Sequence, residues 1–402
     1  MQALRDKYDY IVIGAGISGL SLANKISLTT GGDASILVVE KENTTGIHAS
    51  GRNSGVLHSG IYYPNKSFKA KICADGAQLM SDYCIEKGLP FHKIGKVVIP
   101  TKQEDDPQVD LLYKRASLNG ASVEIIDDQQ LQEIEPACHS ASGRALFSPK
   151  TSVVDPKAIL HQLRNALEDS GVVFCFGGEM QEAYPEENAI KVSGQKIKYG
   201  MFYNAAGQYA DHIAKMFGVG SQYTILPFRG EYYRLLPSSS LKLNHLIYPV
   251  PDLNVPFLGI HSVTDINGDI YFGPSAIPVF GREHYSGFLG ISASQIVDNI
   301  SNLTCLYWSN SNSFRSYMHD EISRFTKNQF IKAAQKLVPG LKKSDLVKSH
   351  KVGIRAQLVN TKNNMLEMDF VVERRDNTVH VLNAVSPGFT CAFSLANEIV
   401  VI

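Results

Sequence analysis

The residues with the most definite chemistry are three glycines in the run Gly14-Ala15-Gly16-Ile17-Ser18-Gly19. Gly14 permits a tight turn, Gly16 lets backbone approach a pyrophosphate, and Gly19 lets a helix pack closely on a strand. The N–H groups that open such a helix, from Ile17 and Ser18 onward, have no partner within it and attract phosphate oxygens. Alone the spacing is weak evidence. Here it follows the apolar run Tyr10-Ile11-Val12-Ile13, and a second apolar run ends at Glu40, just before Lys41. An acid there is placed to accept hydrogen bonds from an adenosine ribose.

Two further segments bear on the cofactor. Tyr203 to Ala210 reads as a strand ending in small residues, with Ala206 and Gly207 at the turn. It resembles the second FAD-contacting segment of flavoproteins, although small-residue turns are common. Ala49 to Tyr63 is rich in small polar residues, among them Arg52, Asn53, Ser54 and Gly55, and follows Glu40 closely. Such a loop lets backbone lie against a flat ring, although a glycine-rich surface loop is the plainer alternative. The glycine motif stands near the start of the sequence, and with the Tyr203 to Ala210 segment this favours FAD over NAD; no second nicotinamide fingerprint is visible, which argues against NAD(P)H as an obligatory partner.

These segments need a sheet to carry them. The opening reads strand, glycine turn, helix to about Lys25-Ile26, then strand Ile36 to Glu40. Periodicity predicts a helix over Lys66 to Lys87 and another over Pro156 to Ser170, the latter with Asp155 as N-cap. Strands are expected at 93–100, 122–127, 145–148, 172–176, 189–192 and 199–204, with a helix around 111–118. A strand-rich block spans 226–280 and a mainly helical one 285–341. A strand at 379–382, a turn at Pro387-Gly388 and a helix from Phe389 close the pattern.

At 402 residues the chain has room for two domains, and 44% apolar and 19% charged residues are ordinary for a globular protein. Lys plus Arg and Asp plus Glu are 39 each, so no basic excess points to nucleic acid. The six cysteines are scattered without a C-x-x-C pair, which leaves no metal site and no disulfide framework to expect. There is no signal peptide and no apolar span of ~20 residues. The expected setting is the cytoplasm, with peripheral attachment to the inner face of the cytoplasmic membrane left open.

The runs RNSGVLHSGIYY, PFRGEYY, LIYPVPDLNVPFLGIH, GPSA, VGIRAQ, DFVV and HVLNAVSPGFTCAFSLANEI together resemble the L-2-hydroxyglutarate dehydrogenase/oxidase family, FAD enzymes of the D-amino-acid-oxidase-like group. The likeness runs from the first strand to the last helix. It implies an α/β plus α+β protein: a Rossmann-like FAD-binding domain interleaved with a mixed-sheet substrate domain. The expected division gives 1–90, 150–220 and 345–402 to the FAD domain, and 91–149 and 221–344 to the substrate domain. Non-covalent FAD is implied, with a small 2-hydroxy dicarboxylate as substrate, oxygen or a membrane quinone as electron acceptor, and neither nucleic acid nor a protein partner.

The same resemblance suggests residue roles. Arg355 matches an arginine facing the substrate carboxylate, for which a guanidinium offers two parallel charge-assisted donors. His58, in the loop near the flavin, and His261, at the end of a substrate-sheet strand, are candidates for the base that takes the hydroxyl proton as hydride leaves C2 for flavin N5. His58 ranks slightly first. Tyr63, Tyr248 and Arg229 are candidates for the pocket and a second carboxylate, with plain packing the stronger alternative for the two tyrosines. Arg282 and Lys96 are cations without an assigned role. Ser386-Pro387-Gly388-Phe389-Thr390 enters the last helix, whose N-terminus would face the flavin edge where reduction places negative charge. An amine or amino-acid oxidase on the same scaffold, and a non-catalytic flavin module, stay open as alternatives.

Overall fold

The computed structural model describes residues 4–286, 291, 293–324 and 326–400. Its first strand, Lys7–Ile13, ends in three consecutive buried residues, as a parallel strand covered on both faces requires. It pairs in parallel with Ile36–Glu40 on one side and Gln195–Asn204 on the other. Val173–Phe176 extends the sheet beyond Ile36–Glu40, and Thr378–Asn383 pairs in parallel with the end of Gln195–Asn204. Val371–Arg375 and the hairpin Met180–Tyr184/Ala189–Val192 add antiparallel strands. On one face, Leu20, Met80, Leu163 and Leu395, from four different helices, share a core with Val12 and Val38. On the other, Phe202, Ile213, Phe217 and Leu358 pack against Ile11 and Leu37.

The second sheet is built on two long antiparallel strands, Tyr223–Leu235 and Leu346–Asn360, paired along nearly their whole length. Ile270–Gly273 and then His261–Thr264 extend one edge, and Met365–Leu366 the other. A smaller mixed sheet places Lys96–Ile99 between Leu246–Pro249, parallel to it, and Arg144–Ser148, antiparallel. The architecture is the expected Rossmann-like sheet joined to mixed sheets.

Most expected elements are present, including the helix Pro156–Asp169 with the Asp155 carboxylate accepting from the N–H groups of Lys157 and Ala158. Three points differ. The strand Leu346–Asn360 was not expected, because the polar run Lys348-Ser349-His350-Lys351 interrupts its apolar alternation. By pairing it belongs to the second sheet, together with Met365–Leu366, although the expected division gave 345–402 to the FAD domain. The last helix begins at Ala392, not Phe389, since Cys391 N–H closes on Pro387 O and Ala392 N–H on Phe389 O in turns ahead of it. The helical block comprises Ala293–Ser309, Phe314–Ser323 and Lys327–Gln335, while 287–290, 292 and 325 lie outside the described residues. No helix among the described residues is long and apolar enough to cross a membrane.

Candidate active site

Between the two large sheets lies a cavity of about 1130 Å³. One end is made by the glycine turn. Gly14 has φ +101°, and a Cβ there would stand 2.5 Å from the Ala205 carbonyl oxygen. A Cβ on Gly19 would stand 1.8 Å from the Gly14 oxygen, so this residue serves packing and does not reach the cavity wall. Gly16 opens the helix and lines the wall with Ile17 and Ser18, and a Cβ on it would come 2.9 Å from Ser50 Oγ. That hydroxyl accepts the Ile17 N–H at 3.0 Å. Glu40 uses one oxygen to accept Ala15 N–H at 2.8 Å and the other to accept Glu42 N–H at 2.9 Å. Each oxygen keeps a second lone pair for a ribose hydroxyl.

Lys41 also lines this end, paired with Glu42 and, at 2.6 Å, with Glu283. Glu283 accepts from Tyr209 OH at 2.8 Å, and neighbouring Arg282 makes a two-pronged bond to buried Asp211 at 2.5 and 2.8 Å. Arg52 donates to Ile47 O at 2.7 Å and lies 4.2 Å from the Tyr285 ring centroid. The segment 282–285, from beyond the second sheet, thus clamps onto the nucleotide loops. Charge alone singled out Arg282 in the sequence, and nothing there indicated the clamp. Asn53 and Ser54 line the cavity while bonding within their own loop, and Ala206 and Gly207 line it too. Gly55 does not. Its φ of +77° bends the loop, and a Cβ would meet the Val154 oxygen at 2.5 Å.

The other end brings together His58, Tyr248, His261, Arg355 and Pro387 to Thr390. Thr390 Oγ1 accepts the His58 N–H at 3.1 Å, tying the loop to the turn before the last helix. His58 Nε2 lies 3.4 Å from Ser386 Oγ, and its Nδ1 is buried without a partner among the described residues. Burial, with Lys96, His261, Arg355 and Lys69 nearby, lowers His58 to about 3. His261 Nδ1 lies 2.8 Å from Gly259 O, which makes Nδ1 the protonated nitrogen and leaves Nε2 its lone pair. Burial lowers His261 to about 4. Both rings are therefore neutral at pH 7, the form a base needs.

Arg355 holds its own position through a chain of bonds. Fully buried Gln357 donates to Glu367 O at 2.8 Å and accepts Arg355 Nε–H on its oxygen at 3.2 Å. The guanidinium lies 5.1 Å from the Phe257 ring centroid, and no carboxylate pairs with it among the described residues. Desolvation lowers it to about 10, so it stays a cation.

Two expected residues are elsewhere. In Pro227 to Tyr233 the alternation of a strand sends Phe228, Gly230 and Tyr232 to the cavity. Arg229 is on the opposite parity, off the wall, and pairs with Glu231 at 3.1 Å. Tyr63 packs in the core beside Lys69, whose Nζ is 5.8 Å from its ring centroid, and is not on the wall. Phe257, Tyr232 and Gly230 were missed, although the alternation in PFRGEYY carried the signal for the last two.

A cavity with a glycine turn and the N-terminus of a helix at one end fits a dinucleotide cofactor. Residues 9–400 match the model of the DAO family, FAD dependent oxidoreductase. The mitochondrial L-2-hydroxyglutarate dehydrogenase of Caenorhabditis briggsae is 33% identical, covering 98% of this chain and 92% of that protein. The L-2-hydroxyglutarate dehydrogenase of Indibacter alkaliphilus is 32% identical, with 98% of each covered. The chain belongs to the DAO family of FAD-dependent oxidoreductases, with the L-2-hydroxyglutarate dehydrogenases as its kin. A solved structure of L-alpha-glycerophosphate oxidase from Mycoplasma pneumoniae, dithionite-reduced with FAD bound, has a TM-score of 0.77 at 19% identity, covering 98% of this chain and 94% of that one. That likeness speaks for the fold. In this DAO-family enzyme FAD is the cofactor, and the glycine turn, Glu40 and the loops at 50–54 and 206–207 are the residues that would hold it.

Proposed function

We propose that this protein oxidises an L-2-hydroxy acid, L-2-hydroxyglutarate to 2-oxoglutarate, and passes the electrons to oxygen or a membrane quinone. The observation that carries the reading is Arg355: a guanidinium in the cavity wall, oriented by Gln357 and without a carboxylate partner among the described residues, beside two neutral histidines. A cation desolvated in this way is stabilised by an anionic ligand, and a planar carboxylate matches its remaining donors. FAD, when bound, supplies the acceptor for the hydride from C2. His58 and His261 are the pair from which the hydroxyl proton acceptor comes. Their low affinity for protons is partly the work of nearby cations, which an arriving carboxylate offsets, so substrate binding strengthens the base. Names of relatives at 30% identity or more support the substrate. The six free thiols support a reducing, cytoplasmic setting.

The test is anaerobic mixing of the yellow holoenzyme with L-2-hydroxyglutarate, its D-isomer, glycine and sarcosine. Bleaching of the flavin band by the first alone is expected. Bleaching by an amine and not by the hydroxy acid would replace this reading with an amine oxidase. Readmitting oxygen or a soluble quinone then identifies the acceptor by which of them restores the colour.

A further inference from the structure

Behind the cavity wall lies a buried lysine. The Lys96 side chain is 0% exposed and its Nζ has no hydrogen-bond partner among the described residues. The Nζ lies 4.9 Å from the Tyr62 ring centroid and 5.2 Å from that of Tyr248. Tyr248 in turn stacks on His261 at 3.9 Å between centroids, and His261 faces the cavity. Tyr248 lines the cavity as well, so one phenol ring stands between the ammonium and the ligand space.

The groups around this amine are Tyr62 and Tyr248, whose hydroxyls burial keeps protonated, the Cys73 thiol, and His58 and His261, which feel its charge. None is a carboxylate. Two aromatic faces stabilise an ammonium only modestly, and desolvation brings Lys96 down to about 7. Amine and ammonium are then close in free energy near neutral pH, and a negative charge entering the cavity decides between them. Lys69 is the contrasting case. It is also buried and lowered to about 7, but Asp369 stands near it and already supplies a negative charge.

We propose that Lys96 is the second positive charge of the site, taking a proton from solvent when a dianion binds, so that Arg355 and Lys96 together balance two carboxylates. Lys96 acts across the Tyr248 ring, on which His261 stacks, and touches no ligand, so it is a positioning residue for charge. The proposal rests on the dicarboxylate reading above.

The experiment is calorimetric titration of FAD-loaded protein with 2-oxoglutarate, which does not turn over, at about pH 8 in two buffers of different ionisation enthalpy. The difference between buffers counts protons. Wild type is expected to take up close to one proton per site, because free Lys96 is then mostly amine. Lys96→Met should take up almost none and bind 2-oxoglutarate at least about tenfold more weakly, the size of one charge acting across a ring's thickness at intermediate dielectric. For the monocarboxylate 2-oxobutyrate the two proteins should agree within about twofold. Lys69→Met should keep the uptake. Methionine conserves volume and removes an unpaired buried amine, so folding should not suffer, and the wild-type count and Lys69→Met decide the matter even if it does. Absence of uptake by wild type, uptake unchanged in Lys96→Met, or uptake lost in Lys69→Met instead would each overturn the proposal. If wild type binds 2-oxobutyrate but not 2-oxoglutarate, the dicarboxylate reading fails first and the proposal with it.

Discussion

Arg355 commits one nitrogen to Gln357 and leaves the outer pair to the cavity, which fixes what its loss should cost. Arg355→Met removes one partner of a desolvated charge pair, a loss of about 3–5 kcal/mol in comparable cases. kcat/KM on L-2-hydroxyglutarate should fall by about 10² or more with FAD content unchanged, and Arg355→Lys should restore only part, lacking the planar fork. A Met variant within about threefold of wild type would remove Arg355 from its assigned place. His58→Ala and His261→Ala separate the two candidate bases. The true base should lose roughly 10² to 10⁴ in kcat with flavin retained. His261, with its tautomer set by Gly259, has an orientation that His58 lacks, so the order expected from sequence is open to reversal. At Gly16 a valine would intrude on Ser50 and on the cradle, and the purified protein should be colourless. Residue types that do chemistry were legible in the sequence. Which face they occupy was not, and Arg229, diverted to Glu231 by strand parity, shows why.

Among the elements, the paired strands Tyr223–Leu235 and Leu346–Asn360 govern how closely the two sheets approach. Gly230 and Gly353 stand opposite each other in that pairing and both line the cavity. A Cβ on Gly353 would lie 2.9 Å from the Arg52 carbonyl oxygen, and one on Gly230 would lie 2.8 Å from Pro274 Cβ. Gly353→Ala must therefore push the loop at 50–54 away from the sheet. Weaker FAD retention on gel filtration is expected, by about tenfold or more in dissociation constant, the scale of an overpacked contact. Undiminished FAD affinity would show that the loop relaxes freely. The Rossmann-like strands were readable because parallel strands buried on both faces are continuous apolar runs. The strand 346–360 was not, because four consecutive polar residues, Lys348 to Lys351, hide the alternation that Val352 to Leu358 carries.

At the scale of the whole molecule, buried neutral bases tie stability to pH. His58, His261 and His380 are held at about 3, 4 and 4, below the ordinary 6.5, and Lys69 and Lys96 at about 7, below 10.5. In each window between folded and ordinary values the unfolded chain holds more protons, so stability rises with pH. The histidines act below about 6.5 and the lysines from about 7 upward. Asp211 and Glu283, lowered by Arg282 and Lys41, add to the loss in acid. Tm of ligand-free holoenzyme should therefore climb from about pH 5 to about pH 9 in scanning calorimetry. A maximum at or below about pH 6 would mean that these groups are not buried neutral. The interleaving itself was legible as alternating textures, but the clamp at 282–285 was not, since its partners lie far apart in sequence. That separation has a consequence for synthesis. Tyr223–Leu235 leaves the ribosome over a hundred residues before its partner Leu346–Asn360, and the parallel sheet waits still longer for Thr378–Asn383. Until then a long edge of backbone donors and acceptors is bare, an invitation to pair with other nascent chains. The nascent chain is therefore most exposed to mispairing in the interval between its two long strands.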